Sequence, residues 1–296
     1  ALGVTSFKRV TSCGTSTAES VPCLFSSLGH EAFSRRRAEG RENLLELLQR
    51  FGVDVRWREN NTGCKGICSR IETERFGAAD GALCTDENGC YDEVLVAGLD
   101  RLAVDSSKDH LLVLHERGSH GPAYQHNTPD WAKPFVPECV SGQVTDCSTA
   151  QIDNAYDNTI VYSDWLLARI IDALGAQTER YNVAMLYVSD HGESLGEAGI
   201  YLHGLPYAIA PEEQTHVPML FWASDGFYDA RRISPACIKL EANEPLSHDN
   251  VFHTIVSVFG VATDWYRPDL DMLAPCVGAA RDVDREPPHL RGDARS

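Results

Sequence analysis

Asp190 and His191 are the residues whose types and spacing point most directly to chemistry. They follow an apolar run, 183–188, of the kind that forms a buried strand, and Gly192 comes directly after them. Ligands of open α/β sheets bind beyond the carboxyl ends of the strands. Because carboxylate and imidazole groups both bind divalent metals, the pair predicts half of a metal site.

A second chemical segment, 11–17, reads Thr-Ser-Cys-Gly-Thr-Ser-Thr and opens a predicted helix. Ser16 and Glu19 have the spacing of a capping box. A hydroxyl at a helix N-terminus faces free N–H groups and the positive end of the helix dipole, which favour an alkoxide or a bound phosphoryl group. Taken alone, the segment is more simply explained as a Ser/Thr-rich cap without chemistry.

Two histidines lie on glycine-flanked loops after predicted strands. His120 follows the strand signal Leu111–His115, and His203 lies twelve residues beyond His191. A single such histidine is more often structural. Several of them at one sheet edge, together with an Asp and a Glu, indicate a functional cluster.

Two weaker signals lie elsewhere. Asn61 and Lys65 follow the predicted strand Val53–Trp57, where a lysine is usually solvated but could hold a phosphoryl oxygen beside a phosphate site. Ser247 or Asp249 is expected to cap the helix that begins nearby.

Alternating helix and strand signals must position these side chains. The pattern predicts an α/β fold with a mostly parallel sheet flanked by helices on both faces. Residues 1–280 are expected to form one catalytic domain, and the charged segment 281–296 a flexible tail. The predicted helices are Ala18–Leu28, Glu42–Phe51, Asp92–Leu102, Ile152–Leu174 and Asn250–Phe259, and the predicted strands are Val53–Trp57, Leu111–His115, Val183–Ser189 and Val217–Trp222.

Composition narrows the class of protein. The net charge of −17 argues against binding to nucleic-acid phosphates, which requires a basic face. No apolar run reaches the roughly 20 residues of a membrane-spanning helix. The first residue is Ala1 rather than Met, so the sequence reads as a mature piece or a fragment.

The ten cysteines predict disulfides and therefore an exported protein. Eight of them form four close pairs, and the last two are left to pair with each other. Structural zinc is the alternative, with Cys64-x-x-x-Cys68 as its best candidate, but no second pair has finger-like spacing. The expected pairs are Cys13 with Cys23, Cys64 with Cys68, Cys84 with Cys90, Cys139 with Cys147, and Cys237 with Cys276.

Together these motifs resemble those of the lipid A phosphoethanolamine transferases, which include the mobile colistin-resistance enzymes and belong to the alkaline phosphatase superfamily. The resemblance runs from about residue 11 to 259. It rests on Thr-Ser-Cys-Gly-Thr-Ser-Thr, Ser-Asp-His-Gly-Glu-Ser-Leu-Gly-Glu, His-Gly-Pro at 120–122 and His-Gly at 203–204. It implies an alkaline phosphatase-like α/β/α sandwich with disulfide-stapled loops.

The resemblance also implies roles for individual residues. Thr17 looks like the nucleophile and a metal ligand, and Asp190, His191 and Glu193 look like ligands of one or two Zn²⁺ ions. His120 and His203 resemble histidines that bind a second metal or act on the substrate. Asn61 and Lys65 match a segment that binds the head group.

The activity implied is zinc-dependent transfer of phosphoethanolamine from phosphatidylethanolamine to a lipid A phosphate through a phosphothreonine intermediate. The added ammonium makes the lipid surface less anionic, which gives polymyxin and colistin resistance. The resemblance places a monomer at the periplasmic face of the bacterial inner membrane. Family members carry an acidic zinc ligand on a strand upstream of the nucleophile, whereas residues 1–10 contain no Asp or Glu. Without this acidic residue the metal site is expected to lack one ligand. The family's N-terminal membrane domain is absent as well.

Other functions fit parts of the pattern. A sulfatase needs Cys or Ser followed by x-Pro-x-Arg, and Val21-Pro22-Cys23 lacks the Arg. The same chemistry could serve another acceptor, such as a core heptose of lipopolysaccharide or a surface protein. A phosphomonoesterase and a catalytically silent metal-binding domain are the remaining alternatives.

Overall fold

The computed structural model describes residues 2–85, 89–99 and 107–278. The strands are β1 (Thr5–Phe7), β2 (Arg9–Thr11), β3 (Asp54–Glu59), β4 (Glu72–Arg75), β5 (Cys84–Thr85), β6 (Gly89–Cys90), β7 (His110–His115), β8 (Ala184–Val188), β9 (Ser194–Leu195), β10 (Tyr201–Leu202), β11 (Met219–Ala223) and β12 (Pro245–Ser247). The helices are α1 (Thr17–Leu24), α2 (Arg35–Ala38), α3 (Leu44–Arg50), α4 (Thr149–Gly175), α5 (Glu212–Thr215), α6 (Asp225–Arg231), α7 (Pro235–Glu241) and α8 (Asp249–Val258).

The sheets are mixed. β3 pairs in parallel with β4 and β7, and β12 pairs in parallel with β2. β11 pairs antiparallel with both β1 and β8. The predicted α/β class is confirmed, and the parallel pairing expected from the alternating pattern applies to the β3 and β12 pairs.

Helix α3 shows why the sequence packs as it does. Asn43 and Glu46 form a capping box at its start, in which the side chain of each accepts the backbone N–H of the other. Leu44, Leu47 and Leu48 face the largest core cluster and are essentially inaccessible to solvent. This helix therefore anchors the layer that covers β3.

A cavity of about 1080 Å³ separates β7 from β8 and is lined by residues of both strands. β7 ends one three-stranded sheet and β8 ends the other, so in the described part of the chain each has one unpaired edge. Open edges at the centre of an α/β fold are unusual, because unpaired N–H and C=O groups normally find partners.

The predicted helix Asp92–Leu102 is wrong over its described part. The structure has a short 3-10 helix, Asp92–Val96, and residues 100–102 lie outside the described residues. The guanidinium of Arg58 donates hydrogen bonds to the carbonyl oxygens of Leu95 and Ala97, which are then not available to a helix. Gly98 has a φ of +70°, so the helix does not continue.

The remaining predicted elements are present with shifted ends. The predicted helix Ala18–Leu28 ends earlier, at Leu24, and α4 extends beyond both predicted ends. Among the described helices, none combines the length and the apolar character of a bilayer-spanning segment. The predicted tail 281–296 lies outside the described residues.

All five expected cysteine pairs are disulfides, so the structural-zinc alternative for these residues is wrong. The disulfide of Cys139 with Cys147 closes the loop that leads into α4. The disulfide of Cys237 with Cys276 is the longest in sequence, spanning 39 residues, and joins α7 to the last described turn of the chain. The stapled loops expected from the resemblance are therefore confirmed.

Candidate active site

β8 delivers Asp190 and His191 to one end of the cavity. The turn after the strand is fixed by a hydrogen bond of 3.0 Å from the N–H of Gly192 to the carbonyl of Gln214. A Cβ at position 192 would overlap the carbonyl oxygen of Glu213, so this turn requires glycine. The sequence pair thus sits on a rigid turn.

Thr17, the first residue of α1, lies beside this pair. Its side chain is buried, and its Oγ1 is 3.3 Å from Nε2 of His191. Oδ2 of Asp190 is 3.7 Å from the same nitrogen. This Oδ2 is buried and has no hydrogen-bond partner in the described structure. A hydroxyl, an imidazole nitrogen and an orphaned carboxylate oxygen therefore converge, as they would around a cation.

The electrostatics favour a charged carboxylate here. Burial raises the pKa of Asp190, but the nearby imidazole of His191 and the hydroxyl of Thr17 outweigh it and hold that pKa below its usual range. The carboxylate is therefore ionised near neutral pH and available as a ligand.

The turn before Thr17 is not closed by the predicted capping box. Ser16 occupies the N-cap position, but its side chain makes no capping hydrogen bond. The carbonyl of Gly14 instead accepts hydroxyl hydrogen bonds from Ser12 (2.6 Å) and Ser20 (2.9 Å), which hold the turn from inside. The first amides of α1 are thus not used by a capping side chain.

Glu193 and His203 form the second half of the cluster. Oε2 of Glu193 lies 2.8 Å from Nδ1 of His203, and Oε1 accepts a hydrogen bond of 2.9 Å from the hydroxyl of Tyr124. Donor atoms of His191, Glu193 and His203 all lie within 4.8 Å of one another. The hydrogen bond to Glu193 raises the pKa of His203.

His120 completes this wall of the site. Its ring centroid is 4.8 Å from that of His203 and 6.4 Å from that of His191. Its Nδ1 lies 2.6 Å from the carbonyl oxygen of Gly121, which leaves Nε2 free of that contact. Burial lowers the pKa of His120, and the neighbouring histidines lower it further.

The side chains of Asn61 and Lys65 do not join the donor cluster of His191, Glu193 and His203. Asn61 lines the large cavity, but its side chain donates to the carbonyl of Glu116 at 2.9 Å and accepts the N–H of Thr62 at 2.8 Å. Lys65 is bound to Thr62 and lines a separate groove of about 660 Å³.

Sequence reasoning missed a buried pair beside Asn61. The carboxylate of Glu59 lies 2.9 Å from Nδ1 of His115 and accepts hydrogen bonds from the indole of Trp57 and the backbone of Asn61. Burial raises the pKa of Glu59, but these partners outweigh it and lower that pKa to about 2. The signal was an acidic residue and a histidine at the same end of two paired strands, which only the register reveals.

The cap predicted before α8 is formed in part. The hydroxyl of Ser247 accepts the N–H of Asp249 at 3.2 Å, whereas the carboxylate of Asp249 accepts the N–H of His30 at 2.8 Å. His248, which lies between these two residues, is almost fully buried and contacts the backbone on both sides of the site. Its place in the segment gave no sign of this role.

Comparison with known proteins identifies the family to which this chain belongs. The sulfatase family model matches residues 1–261. The chain belongs to the sulfatase family. Phosphoethanolamine transferase EptA of Salmonella typhimurium is 41% identical over 272 residues, which cover 91% of this chain and 50% of that protein. Phosphatidylethanolamine transferase Mcr-1 of Escherichia coli is 40% identical, over 88% of this chain and 48% of that protein. The chain thus spans about half the length of these relatives.

Solved structures that are similar to this sulfatase-family chain also include a phosphoethanolamine transferase. The crystal structure of the soluble domain of lipooligosaccharide phosphoethanolamine transferase A from Neisseria meningitidis superposes with a TM-score of 0.89 at 38% identity, covering 93% of this chain and 83% of that one. A sulfatase from Bacteroides fragilis at 14% identity and a TM-score of 0.59 shares the fold alone. The resemblance to phosphoethanolamine transferases and the alkaline phosphatase-like fold are both confirmed.

Proposed function

We propose that this chain is the catalytic domain of an enzyme that transfers phosphoethanolamine from phosphatidylethanolamine to a lipid A phosphate, with Thr17 as the nucleophile. The observation that carries the proposal is the position of Thr17 Oγ1, 3.3 Å from His191 Nε2, at the N-terminus of α1. A hydroxyl nucleophile is activated by an adjacent base or by a metal ion, and Asp190 and His191 would hold such an ion beside Oγ1.

Zinc fits the residues present. Oδ2 of Asp190 is buried without a partner in the described structure, and Nε2 of His191 and Oγ1 of Thr17 lie beside it. Oxygen and imidazole donors are ligands that zinc accepts. Glu193 and His203 offer a further pair of donors close to His191, which leaves room for one or two ions. Zinc bound here acts as a Lewis acid and lowers the pKa of a coordinated hydroxyl.

The chain's own residues account for the remaining steps. The hydroxyl of Thr17 loses its proton to solvent, its Oγ1 forms a bond to phosphorus, and the bond from phosphorus to the glycerol oxygen breaks. The departing diacylglycerol oxygen takes a proton from a histidine that borders the site. His203, whose pKa is raised by Glu193, is a better acid than His120, whose pKa is lowered by burial. The free amides at the start of α1 stabilise the phosphoryl charge, since a helix N-terminus attracts anions. An acceptor phosphate oxygen then attacks phosphorus and releases Thr17.

The direct test is a mass measurement on the full-length enzyme. With phosphatidylethanolamine present, the tryptic peptide that contains Thr17 is expected to carry a phosphoethanolamine adduct, which Thr17→Ala removes. An adduct that persists on the Thr17→Ala protein would falsify the assignment. Zinc titration by calorimetry of the wild type and Asp190→Ala separately tests the metal site, because loss of the carboxylate should weaken binding strongly.

The acceptor is the least constrained part of the proposal. A relative named Kdo(2)-lipid A phosphoethanolamine 7''-transferase, from Escherichia coli, is 30% identical over 84% of this chain, against 41% for EptA of Salmonella typhimurium. The choice of a lipid A phosphate therefore rests on the motif resemblance to the lipid A phosphoethanolamine transferases. Mass spectrometry of lipid A and of core oligosaccharide from cells that express the full-length enzyme decides between them. Transfer to lipid A also predicts reduced colistin susceptibility in those cells.

The cavity between β7 and β8 supports a domain organisation in which residues 2–278 are not the whole catalytic unit. We propose that an extended segment outside residues 1–296 pairs with both open edges and brings the acidic ligand that the family resemblance implies. In the full-length protein, the amides of β7 and β8 should then exchange hydrogen more slowly than in this chain. Equal exchange in the two proteins would rule the segment out.

The setting proposed for the domain is the periplasmic face of the inner membrane, as a monomer. Five disulfides require an oxidising compartment, and donor and acceptor are both membrane lipids. Release of phosphate to water without acceptor transfer would instead indicate a phosphomonoesterase. Tight zinc binding without turnover in the full-length protein would indicate a silent metal-binding domain.

A further inference from the structure

A cluster of arginines stands out against the charge of the chain. Arg35, Arg36, Arg37 and Arg41 lie within seven residues, all exposed, in a protein whose net charge is −17. We call residues 35–41, which comprise α2 and the turn after it, the basic loop. In the described structure none of the four guanidinium groups is in an ion pair. No acidic side chain in the described structure therefore neutralises the charge of these four arginines.

The basic loop lies against the nucleophile helix. The guanidinium of Arg35 donates a hydrogen bond to the carbonyl of Ala18, the residue next to Thr17. Arg37 donates to the carbonyl of Ala32 at 3.0 Å, which folds the loop onto its own backbone. Arg36 and Arg41 therefore project from a segment that is fixed beside the site.

Contacts of His30 fix the start of the same segment. Nδ1 of His30 lies 2.8 Å from the carbonyl oxygen of Cys13, and its ring centroid is 4.4 Å from that of Tyr207. Cys13 precedes the nucleophile, and Tyr207 follows His203 along the chain. His30, five residues before the basic loop, is thus held both to the turn before Thr17 and to Tyr207.

The local charge favours an anionic partner of high charge density. Glu31 and Glu39 are also exposed near the loop, and Glu42 is occupied by Arg50 at 2.8 Å. Within residues 35–41 four arginines stand against one glutamate, so the loop keeps a local positive charge. One guanidinium group can bind two phosphate oxygens at once, and a surface with many phosphates can engage several arginines together.

We propose that the basic loop docks this domain on an anionic, phosphate-bearing lipid surface and so turns the Thr17 end of α1 toward the membrane. The proposal rests on the proposed function, in which donor and acceptor are membrane lipids. A strongly anionic domain is repelled by such a surface, so a local cationic contact beside the site sets its orientation. One solved relative is described as an integral membrane protein.

Flotation of this 296-residue chain with vesicles tests the proposal. Binding is expected to phosphatidylglycerol vesicles and not to phosphatidylcholine vesicles, and it should weaken at about 0.5 M salt because screening shortens the range of the attraction. The triple variant Arg35→Gln, Arg36→Gln, Arg37→Gln should bind roughly 100-fold more weakly, since each arginine near an anionic surface contributes about fivefold.

Matched variants separate the loop from general charge. Arg75→Gln, Arg169→Gln, Arg180→Gln removes the same charge from exposed sites elsewhere and should bind as the wild type does. Arg36→Gln, Arg41→Gln keeps both backbone hydrogen bonds of the loop and should still weaken binding by more than about tenfold. Equal loss in the two triple variants, or no binding by the wild type, would overturn the proposal.

The outcome is independent of catalysis. Thr17→Ala should float with the vesicles as the wild type does, because the Thr17 side chain is buried and the substitution leaves the four arginines in place. Loop-dependent binding together with a failed adduct test would therefore reject the proposed function alone. An adduct on Thr17 without loop-dependent binding would reject the docking proposal alone.

Discussion

The backbone N–H of Cys13 donates a hydrogen bond of 3.1 Å to Nδ1 of His248, across 235 residues of chain. Nε2 of the same ring lies 2.9 Å from the carbonyl oxygen of Ser189. Because Nδ1 accepts, Nε2 must carry the proton and donate. Burial lowers the pKa of His248 to about 4, so the ring is neutral. This imidazole ties the turn before Thr17 to the turn that carries Asp190.

His248→Ala is therefore expected to destabilise the protein by about 2–4 kcal/mol, since two buried backbone groups lose their partners. Denaturant unfolding of the disulfide-intact chain measures the change. His216→Ala is the matched control, because His216 also contacts a backbone carbonyl but is exposed. Its effect should stay below about 1 kcal/mol. Similar losses in the two variants would contradict the bridging role of His248.

Short motifs predicted the part of the site that depends on local spacing. Thr17, Asp190 and His191 could be named in this way, because a helix start and a strand end each fix a side chain within a few residues. His248 could not, because its role depends on contacts to two loops that are distant in sequence. A histidine before a helix is more simply read as part of a cap.

The same limit applies to the sheets. Apolar runs predicted where the strands lie. They did not predict which strands pair, because the edge of one strand can form hydrogen bonds with the edge of many others. Glu59 and His115 became a pair only through the parallel register of β3 and β7. The antiparallel pairing of β11 with β8 likewise has no signal in a single sequence.

Tyr124 is predicted to support the site through Glu193. Its hydroxyl donates a hydrogen bond of 2.9 Å to Oε1 of that carboxylate, while Oε2 contacts His203. Tyr124→Phe should lower zinc affinity or turnover of the full-length enzyme about 10–100-fold, as expected when a partner of a metal ligand is removed. Zinc calorimetry and the transfer assay measure these effects.

Tyr156→Phe is the control for this prediction. Tyr156 packs edge-on against Tyr124, and the substitution removes a hydroxyl group from the same cluster while leaving the hydrogen bond between Tyr124 and Glu193 in place. The zinc affinity and turnover of Tyr156→Phe should remain near those of the wild type. If both variants lose activity equally, packing rather than the hydrogen bond to Glu193 is responsible.

Gly192→Ala is expected to disrupt the turn between His191 and Glu193. The added Cβ would overlap the carbonyl oxygen of Glu213, so the backbone of the turn must move. Overpacking of this kind costs about 1–3 kcal/mol, and the shift should also reduce turnover. Gly142→Ala is the matched control, since a Cβ at Gly142 meets nothing within 4 Å. Thermal unfolding and zinc titration of both variants test the difference.

Glu116 should make stability depend on pH. Burial raises its pKa to about 8, with a further contribution from the nearby charge of Asp92. Since the folded pKa exceeds the unfolded value of about 4.3, ionisation is disfavoured in the fold, and the free energy of unfolding falls as pH rises from about 4 to 8. Glu116→Gln should therefore stabilise the chain at about pH 8 by about 1 kcal/mol or more, with little change at about pH 4. Glu179→Gln removes the same charge from an exposed site and should show no such dependence. Denaturant unfolding at both pH values decides the matter, and an equal effect of Glu116→Gln at the two would refute the prediction.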